Sequence, residues 1–141
     1  MNTAKDHYDR QLAAIYSWMV GTPAAALDRN RNFFHQLGID SLSPGLAIDL
    51  GAGSGFQSIP LAELGFSVVA INFCESLLAE LKDSVGNLPI CTVCDDLLNF
   101  AKYVERQAQL IVCMGDTLTH LDSLNSVESL LLNVVNTRSV E

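Results

Sequence analysis

The stretch AIDLGAGSGFQSIPLAELG, Ala47 to Gly65, reads as a short buried strand, a glycine-rich turn and then a helix. Leu46, Ala47, Ile48 and Leu50 are apolar on both faces of an extended chain, and Asp49 is the one interruption. A strand of this kind belongs in the middle of a parallel sheet with helices above and below it. Gly51, Ala52, Gly53, Ser54 and Gly55 form a G-x-G-x-G turn. Glycine reaches backbone angles closed to other residues there, and without a Cβ it lets a ligand lie against the main chain. The helix beyond aims unpaired N–H groups and a partial positive charge at the space over the turn, where a carboxylate or phosphate is the natural guest. A tight strand–helix turn with no ligand is the alternative.

Spacing narrows the choice of ligand. The dinucleotide fingerprint is G-x-G-x-x-G, whose third glycine lets helix and strand pack closely. Here the third glycine comes one residue early, at Gly55, and Phe56 holds the place that pattern reserves for it. An acidic residue, Asp49, stands two positions before the first glycine. The glycine spacing, together with Asn72 further along the chain, disfavours a nicotinamide dinucleotide.

A chain of 141 residues, about half of them apolar, suffices for one domain with a real core and not for two. The formal charge of −8 argues against nucleic acid or an anionic membrane as partner. No apolar run approaches the roughly 18 to 20 residues that span a bilayer. The opening MNTAKDHYDR has no signal-peptide core, so a cytoplasmic location is expected. Cys91 and Cys94 form a C-x-x-C, but it falls in a strand-like segment whose residues three apart face opposite ways, and no second pair or nearby histidine completes a metal site. All four cysteines, Cys74, Cys91, Cys94 and Cys113, are expected as small core residues and no metal is expected.

Along the chain, helical spacing of Leu12, Ile15, Tyr16 and Met19 predicts a helix over 4–20. Thr22 and Pro23 start a second, with Ala26, Leu27, Phe33, Phe34 and Leu37 as its apolar positions and Gly38 as its stop. After the first strand, a helix over 56–64 carries Pro60, which should bend or loosen its first turns. Strands follow at 67–72, 90–94 and 110–114. Helices follow at 74–85, with Leu77, Leu78 and Leu81 toward the sheet, and at 123–136, with Leu130, Leu131, Val134 and Val135 as its buried stripe. The alternation implies an α/β fold, a parallel sheet covered by helices on both faces.

The arrangement D-x-G-x-G-x-G at Asp49 to Gly55 resembles motif I of the class I S-adenosylmethionine (SAM) dependent methyltransferases. The segment AQLIVCMGDTLTHL, Ala108 to Leu121, is similar to the fourth motif of small-molecule N-methyltransferases of the glycine N-methyltransferase type. The resemblance implies a Rossmann-like sheet of order 3-2-1-4, an N-terminal helical cap over 1–42 and a cofactor-binding core over 45–136, in one partial domain spanning 1–141. It implies SAM as cofactor, with the turn Gly51, Ala52, Gly53 and Gly55 beside Asp49 facing its methionine and ribose end. Asn72, with Phe73 beside it, stands at the second strand tip, where an acidic partner for the ribose is expected roughly 20 residues past the glycines. An amide lacks the charge that strengthens such bonds, so either affinity is reduced or the site has drifted. Glu75 is a nearby substitute. Asp96 followed by Leu97, or else Asp95, matches the acceptor and backbone donor for adenine; a helix cap is the alternative for Asp96. Met114 and Gly115 would line the cofactor. Asp116, Thr117 and His120 would face the methionine moiety or the acceptor, His120 being the weak catalytic candidate beside the alternative of an exposed loop histidine. Tyr16 and Trp18 would close over cofactor or substrate, or pack beneath the second helix.

The resemblance therefore implies methyl transfer from SAM to a small-molecule acceptor. The fifth strand and closing hairpin that such domains add have no counterpart in the sequence, and strand four, LIVCM, becomes an apolar edge. A second copy of the chain or further residues are expected to cover it, the former giving a homo-oligomer, in the simplest case a dimer. The alternative function is a shortened module that binds SAM weakly or not at all and acts through self-association.

Overall fold

A computed structural model describes residues 22–114, 117 and 121–137. Helix α1 spans Pro23–Gln36 and is followed by strand β1, Leu46–Leu50. Helix α2 (Ser58–Glu63), strand β2 (Ser67–Asn72), helix α3 (Glu75–Val85) and strand β3 (Ile90–Cys94) come next. A 3-10 helix, Leu97–Tyr103, leads to strand β4 (Leu110–Val112), and helix α4 (Leu124–Thr137) ends the described chain. The strands form one sheet of order β3-β2-β1-β4. Every pairing is parallel, with Leu46 opposite Ser67, Val68 opposite Ile90 and Ala47 opposite Leu110. This is the expected Rossmann-like order.

Parallel register places residues of one parity on a common face, and each face has its own cover. Ala47 and Val68 pack with Phe34 of α1 and with Leu61, Ala62 and Phe66. Further along the same face, Ala70 meets Ile59 of α2 and Leu78 and Leu81 of α3. On the opposite face Leu46, Ile48, Leu50 and Ile71 bury against Leu97, Phe100 and Leu130. A strand enclosed on both sides has no polar outlet, and this is why β1 is aliphatic at every position but Asp49 and is buried at all five positions.

Local signals account for the helix ends. Thr22 caps α1, its hydroxyl accepting from the Ala25 N–H at 3.2 Å, and Pro23 takes the first position. Ser123 accepts from the Ser126 N–H at 3.1 Å at the start of α4. An exposed two-pronged pair, Arg31 Nε to Glu63 Oε2 at 2.8 Å and Nη2 to Oε1 at 2.7 Å, ties α1 to α2.

The structure departs from the sequence reading in several places. Helix α2 starts at Ser58 rather than at residue 56, because Phe56 and Gln57 belong to the glycine turn. Pro60 consequently falls in the first helical turn, where its missing N–H is tolerated, and the bonds on either side of it, Ile59 N–H to the Gly55 carbonyl at 3.0 Å and Leu61 N–H to the Gln57 carbonyl at 3.1 Å, are kept. Strand β4 ends at Val112, two residues early. Phe33 and Leu37 are 42% and 59% exposed, since α1 packs inward through Phe34 and Leu27. On α4, Leu130 is buried and Val134 packs beside it, whereas Leu131 and Val135 are 50% and 55% exposed. Consecutive helical positions lie about 100° apart, so neither joins the Leu130–Val134 line. Cys91 and Cys94 are exposed because β3 is a sheet edge; Cys74 is buried and Cys113 half-buried.

Truncation of Leu130 to alanine should cost about 2–5 kcal/mol of stability, whereas Leu131→Ala should cost less than about 1 kcal/mol. Urea unfolding of the two variants checks the difference.

Candidate functional site

All four strands run in one direction, so Leu50, Asn72, Cys94 and Val112 end at the same edge of the sheet. Chain order reverses between β1 and β4, and the crevice outside the strand tips at such a reversal is where doubly wound sheets take ligands. The glycine turn lies there. The Ile71 carbonyl holds its start, accepting from the Gly51 N–H at 2.9 Å and the Ala52 N–H at 3.0 Å.

Two of the glycines answer to the chain itself. Gly51 has φ +78°, and a Cβ built on it would lie 2.4 Å from Thr117 Oγ1. Thr117 is anchored over the turn by its own hydrogen bond to the Met114 carbonyl, 2.9 Å. Gly55 has φ +91°, and its Cβ would lie 2.2 Å from Leu81 Cδ1. The residue between them and α3 makes a further tie: Ser54 Oγ donates to Glu80 Oε2 at 2.7 Å. The turn is thus clamped between α3 and the segment after β4.

Asp49 is the unusual group of the site. It is 1% exposed, one residue from the tip of the central strand. Its Oδ2 accepts from Ser58 Oγ at 2.6 Å, and its Oδ1 has no partner among the described residues. Burial pushes its pKa up to about 6 despite the Ser58 hydroxyl and backbone N–H, which favour the ionised form. The Cys113 thiol is pushed up to about 11, first by burial and then by the charge of Asp49.

Asn72 ends β2, nearly buried, and its carbonyl accepts from the Asp95 N–H at 3.1 Å. Phe73 packs beside Cys74 and Leu77. The adjacent carboxylates at the tip of β3 have separate local partners. Asp95 accepts from the Tyr103 hydroxyl, from Asn99 Nδ2 at 3.0 Å and from the Asp96 N–H at 2.7 Å. The Tyr103 bond, with the other two, holds its carboxyl below the usual range and raises the tyrosine in turn. Asp96 caps the 3-10 helix, accepting from the Leu98 N–H at 2.9 Å, and the Leu97 side chain is buried in the core. Met114 is half-buried against the Ala47–Phe34 cluster. The structure therefore brings Asp49, Gly51, Ala52, Gly53, Gly55, Asn72, Phe73, Asp95, Asp96, Leu97, Met114 and Thr117 to one edge of the sheet. Tyr16, Trp18, Gly115, Asp116 and His120 lie outside the described residues. Ser58, Glu80 and Tyr103, which hold site residues in place, carry no motif and were not anticipated.

An open parallel sheet with a glycine turn at its reversal point and strand tips converging above it is a nucleotide-cofactor fold. Residues 47–136 match the methyltransferase domain family, and the chain belongs to that family. It is similar to the glycine/sarcosine N-methyltransferase of Aphanothece halophytica, 29% identical over 82 residues that cover 54% of this chain and 29% of that protein. The match thus spans less than a third of the relative's length. In fold it is similar to the magnesium protoporphyrin IX methyltransferase (ChlM) of Synechocystis PCC 6803 solved with bound SAM: TM-score 0.75, 19% identity, 96% of this chain and 70% of that one. A SAM-dependent methyltransferase from Clostridium acetobutylicum ATCC 824 superposes with TM-score 0.69 at 17% identity, covering 94% of this chain and 50% of the other.

Folded Asp49 keeps its proton up to about pH 6, whereas a free aspartate releases it near 3.8, so folding takes up a proton between those values and stability falls as pH rises across that window. Asp49→Asn should therefore raise stability at pH 7.5, by on the order of 2–3 kcal/mol, with the advantage shrinking toward pH 4. Thermal unfolding of both proteins across that pH range checks it.

Proposed function

We propose that this chain is the cofactor-binding part of a SAM-dependent methyltransferase with a small-molecule acceptor. The observation that carries the reading is Asp49 Oδ1, a buried carboxylate oxygen with no partner among the described residues, beside the glycine turn. Such an atom calls for a cation or a hydrogen-bond donor. SAM carries an ammonium and a sulfonium, and supplies a methyl group already activated for in-line transfer. Here the turn at Gly51, Ala52, Gly53 and Gly55 would lie against its methionine end. Asn72 with Phe73 would receive the ribose, Asp96 and Leu97 the adenine with Asp95 as the alternative acceptor, and Met114 and Gly115 would line the rest. The side chains mainly position the acceptor and exclude water, and none has to form a covalent bond. Tyr16, Trp18, Asp116, Thr117 and His120 would make the acceptor side, His120 taking a proton at its imidazole. In this reading residues 1–42 form a cap over a core of residues 45–136, in a cytoplasmic enzyme that binds neither nucleic acid nor membrane. The named acceptors of the relatives, glycine or sarcosine and magnesium protoporphyrin IX, are small molecules, and this supports the acceptor class.

A second reading, a self-associating module with weak or no cofactor binding, is favoured by one surface. Leu124, Leu131 and Val135 are exposed and share one face of α4, with exposed Leu132 beside them, and β4 pairs only with β1 among the described residues. A second copy covering that side would hide both the apolar face and the strand edge. The two readings are compatible if the dimer binds cofactor.

Calorimetric titration should give heat with SAM and S-adenosylhomocysteine and none with NAD; silence with all three would leave the module reading. Asn72→Asp should tighten SAM binding about fivefold by restoring a charged acceptor for the ribose. In sedimentation velocity the chain should run as a dimer, and Leu131→Glu should return it to monomer without loss of helical circular dichroism. A wild-type monomer at high concentration would remove self-association from both readings.

A further inference from the structure

Asp49 is held by a residue that belongs to no recognised motif. Ser58 is fully buried at the first position of α2, nine residues beyond Asp49, and both of its donors serve the same carboxylate. Its hydroxyl lies 2.6 Å from Oδ2. The opposite oxygen, Oδ1, is left without a partner among the described residues. A carboxylate with one oxygen fixed and the other free has a defined direction. We propose that Ser58 is a positioning residue: it keeps Asp49 ionised and turned so that Oδ1 is presented to the cationic end of the ligand. The proposal rests on the cofactor reading for the ligand, but not for the Ser58–Asp49 pair itself.

The surroundings of Asp49 leave this role to Ser58 alone among the described residues. In the sheet its register neighbours are Ala70 on β2 and Val112 on β4, neither of which titrates or donates from its side chain. The titratable group facing it from the end of β4 is the Cys113 thiol, which is neutral below about pH 11 and offers no compensating charge. From α2 it receives the Ser58 hydroxyl and backbone N–H. Removing the hydroxyl withdraws a donor that favours the ionised carboxylate, so Asp49 should hold its proton to higher pH. Ligand affinity should then fall only where the variant is protonated and the wild type is not.

The test follows the Asp49 carboxyl by carbon-13 NMR in the ligand-free chain, and in parallel measures SAM affinity by calorimetry between pH 5.5 and 8.5. The proteins are wild type, Ser58→Ala, Ser58→Cys, which keeps the volume with a weaker donor, and each of the two in an Asp49→Asn background. The Asp49 midpoint should move up by about one pH unit in Ser58→Ala and by less in Ser58→Cys. SAM should then bind about threefold more weakly to Ser58→Ala at pH 6.5, with the difference vanishing above pH 8. In the Asp49→Asn background the serine substitutions should leave no pH-dependent difference. An unmoved midpoint, or an affinity loss equal at every pH, overturns the proposal, because a merely structural serine would behave so. If no protein binds SAM but the midpoint still moves, the cofactor reading fails while the hold of Ser58 on Asp49 stands. If Ser58→Ala does not fold, Ser58→Cys decides by the same readouts.

Discussion

The domain is arranged around a buried carboxylate that has no counter-charge among the described residues. Asp49 occupies the innermost strand, enclosed by β2 and β4 on its flanks and by α2 above it. Of its two oxygens the described residues satisfy one. Burial of such a group is unfavourable, and a domain with only about 5–15 kcal/mol of net stability has little to spare for it. An apolar residue of similar size would suit a purely structural β1 better, since every other position of that strand is aliphatic. A buried carboxylate with one oxygen unpartnered among the described residues is the feature on which the proposed cofactor reading rests.

The glycines are the more conspicuous feature and the weaker argument for a ligand. Gly51 is required by the Thr117 side chain and Gly55 by Leu81, so the chain would need glycine at both positions whether or not anything binds. Their effect is indirect. By admitting Thr117 from one side and Leu81 from the other, and with Ser54 bonded to Glu80, they fasten the turn to two separate elements. A main-chain surface fixed in this way loses little further freedom when a ligand settles on it.

The parallel pairing and the gathering of strand tips were legible in the sequence, because an apolar run on both faces and a strand–helix alternation leave few topologies open, whereas the strand order was implied only by the resemblance to the methyltransferases. Burial on the outer helices was not. Periodicity shows that Leu130, Leu131, Val134 and Val135 lie on one broad side of α4, but not how wide a stripe a four-stranded sheet can cover, and only Leu130 and Val134 reach it. Cys91 and Cys94, expected in the core, are exposed because β3 is a sheet edge. The local partners of Asp95 were not legible: Tyr103 and Asn99, four to eight residues later, come back to satisfy it only because the 3-10 helix folds over it. Ser58 had no signal at all, since its contact with Asp49 exists only once the turn has reversed the chain.

The two edges of the sheet differ in a way that bears on assembly. At the β3 edge the exposed residues are Cys91 and Cys94, small and weakly polar, followed at once by two carboxylates. Negative charge at a strand end discourages a second strand from adding there. The β4 edge has no such guard within Leu110–Val112, all three aliphatic, and α4 places Leu124, Leu131, Leu132 and Val135 in solvent. Its protection is its shortness: three residues offer few backbone groups for a new strand to pair with. Any covering partner must therefore derive most of its stabilisation from the helix face rather than from sheet extension, which favours docking of side chains against α4 over a continuous intermolecular sheet.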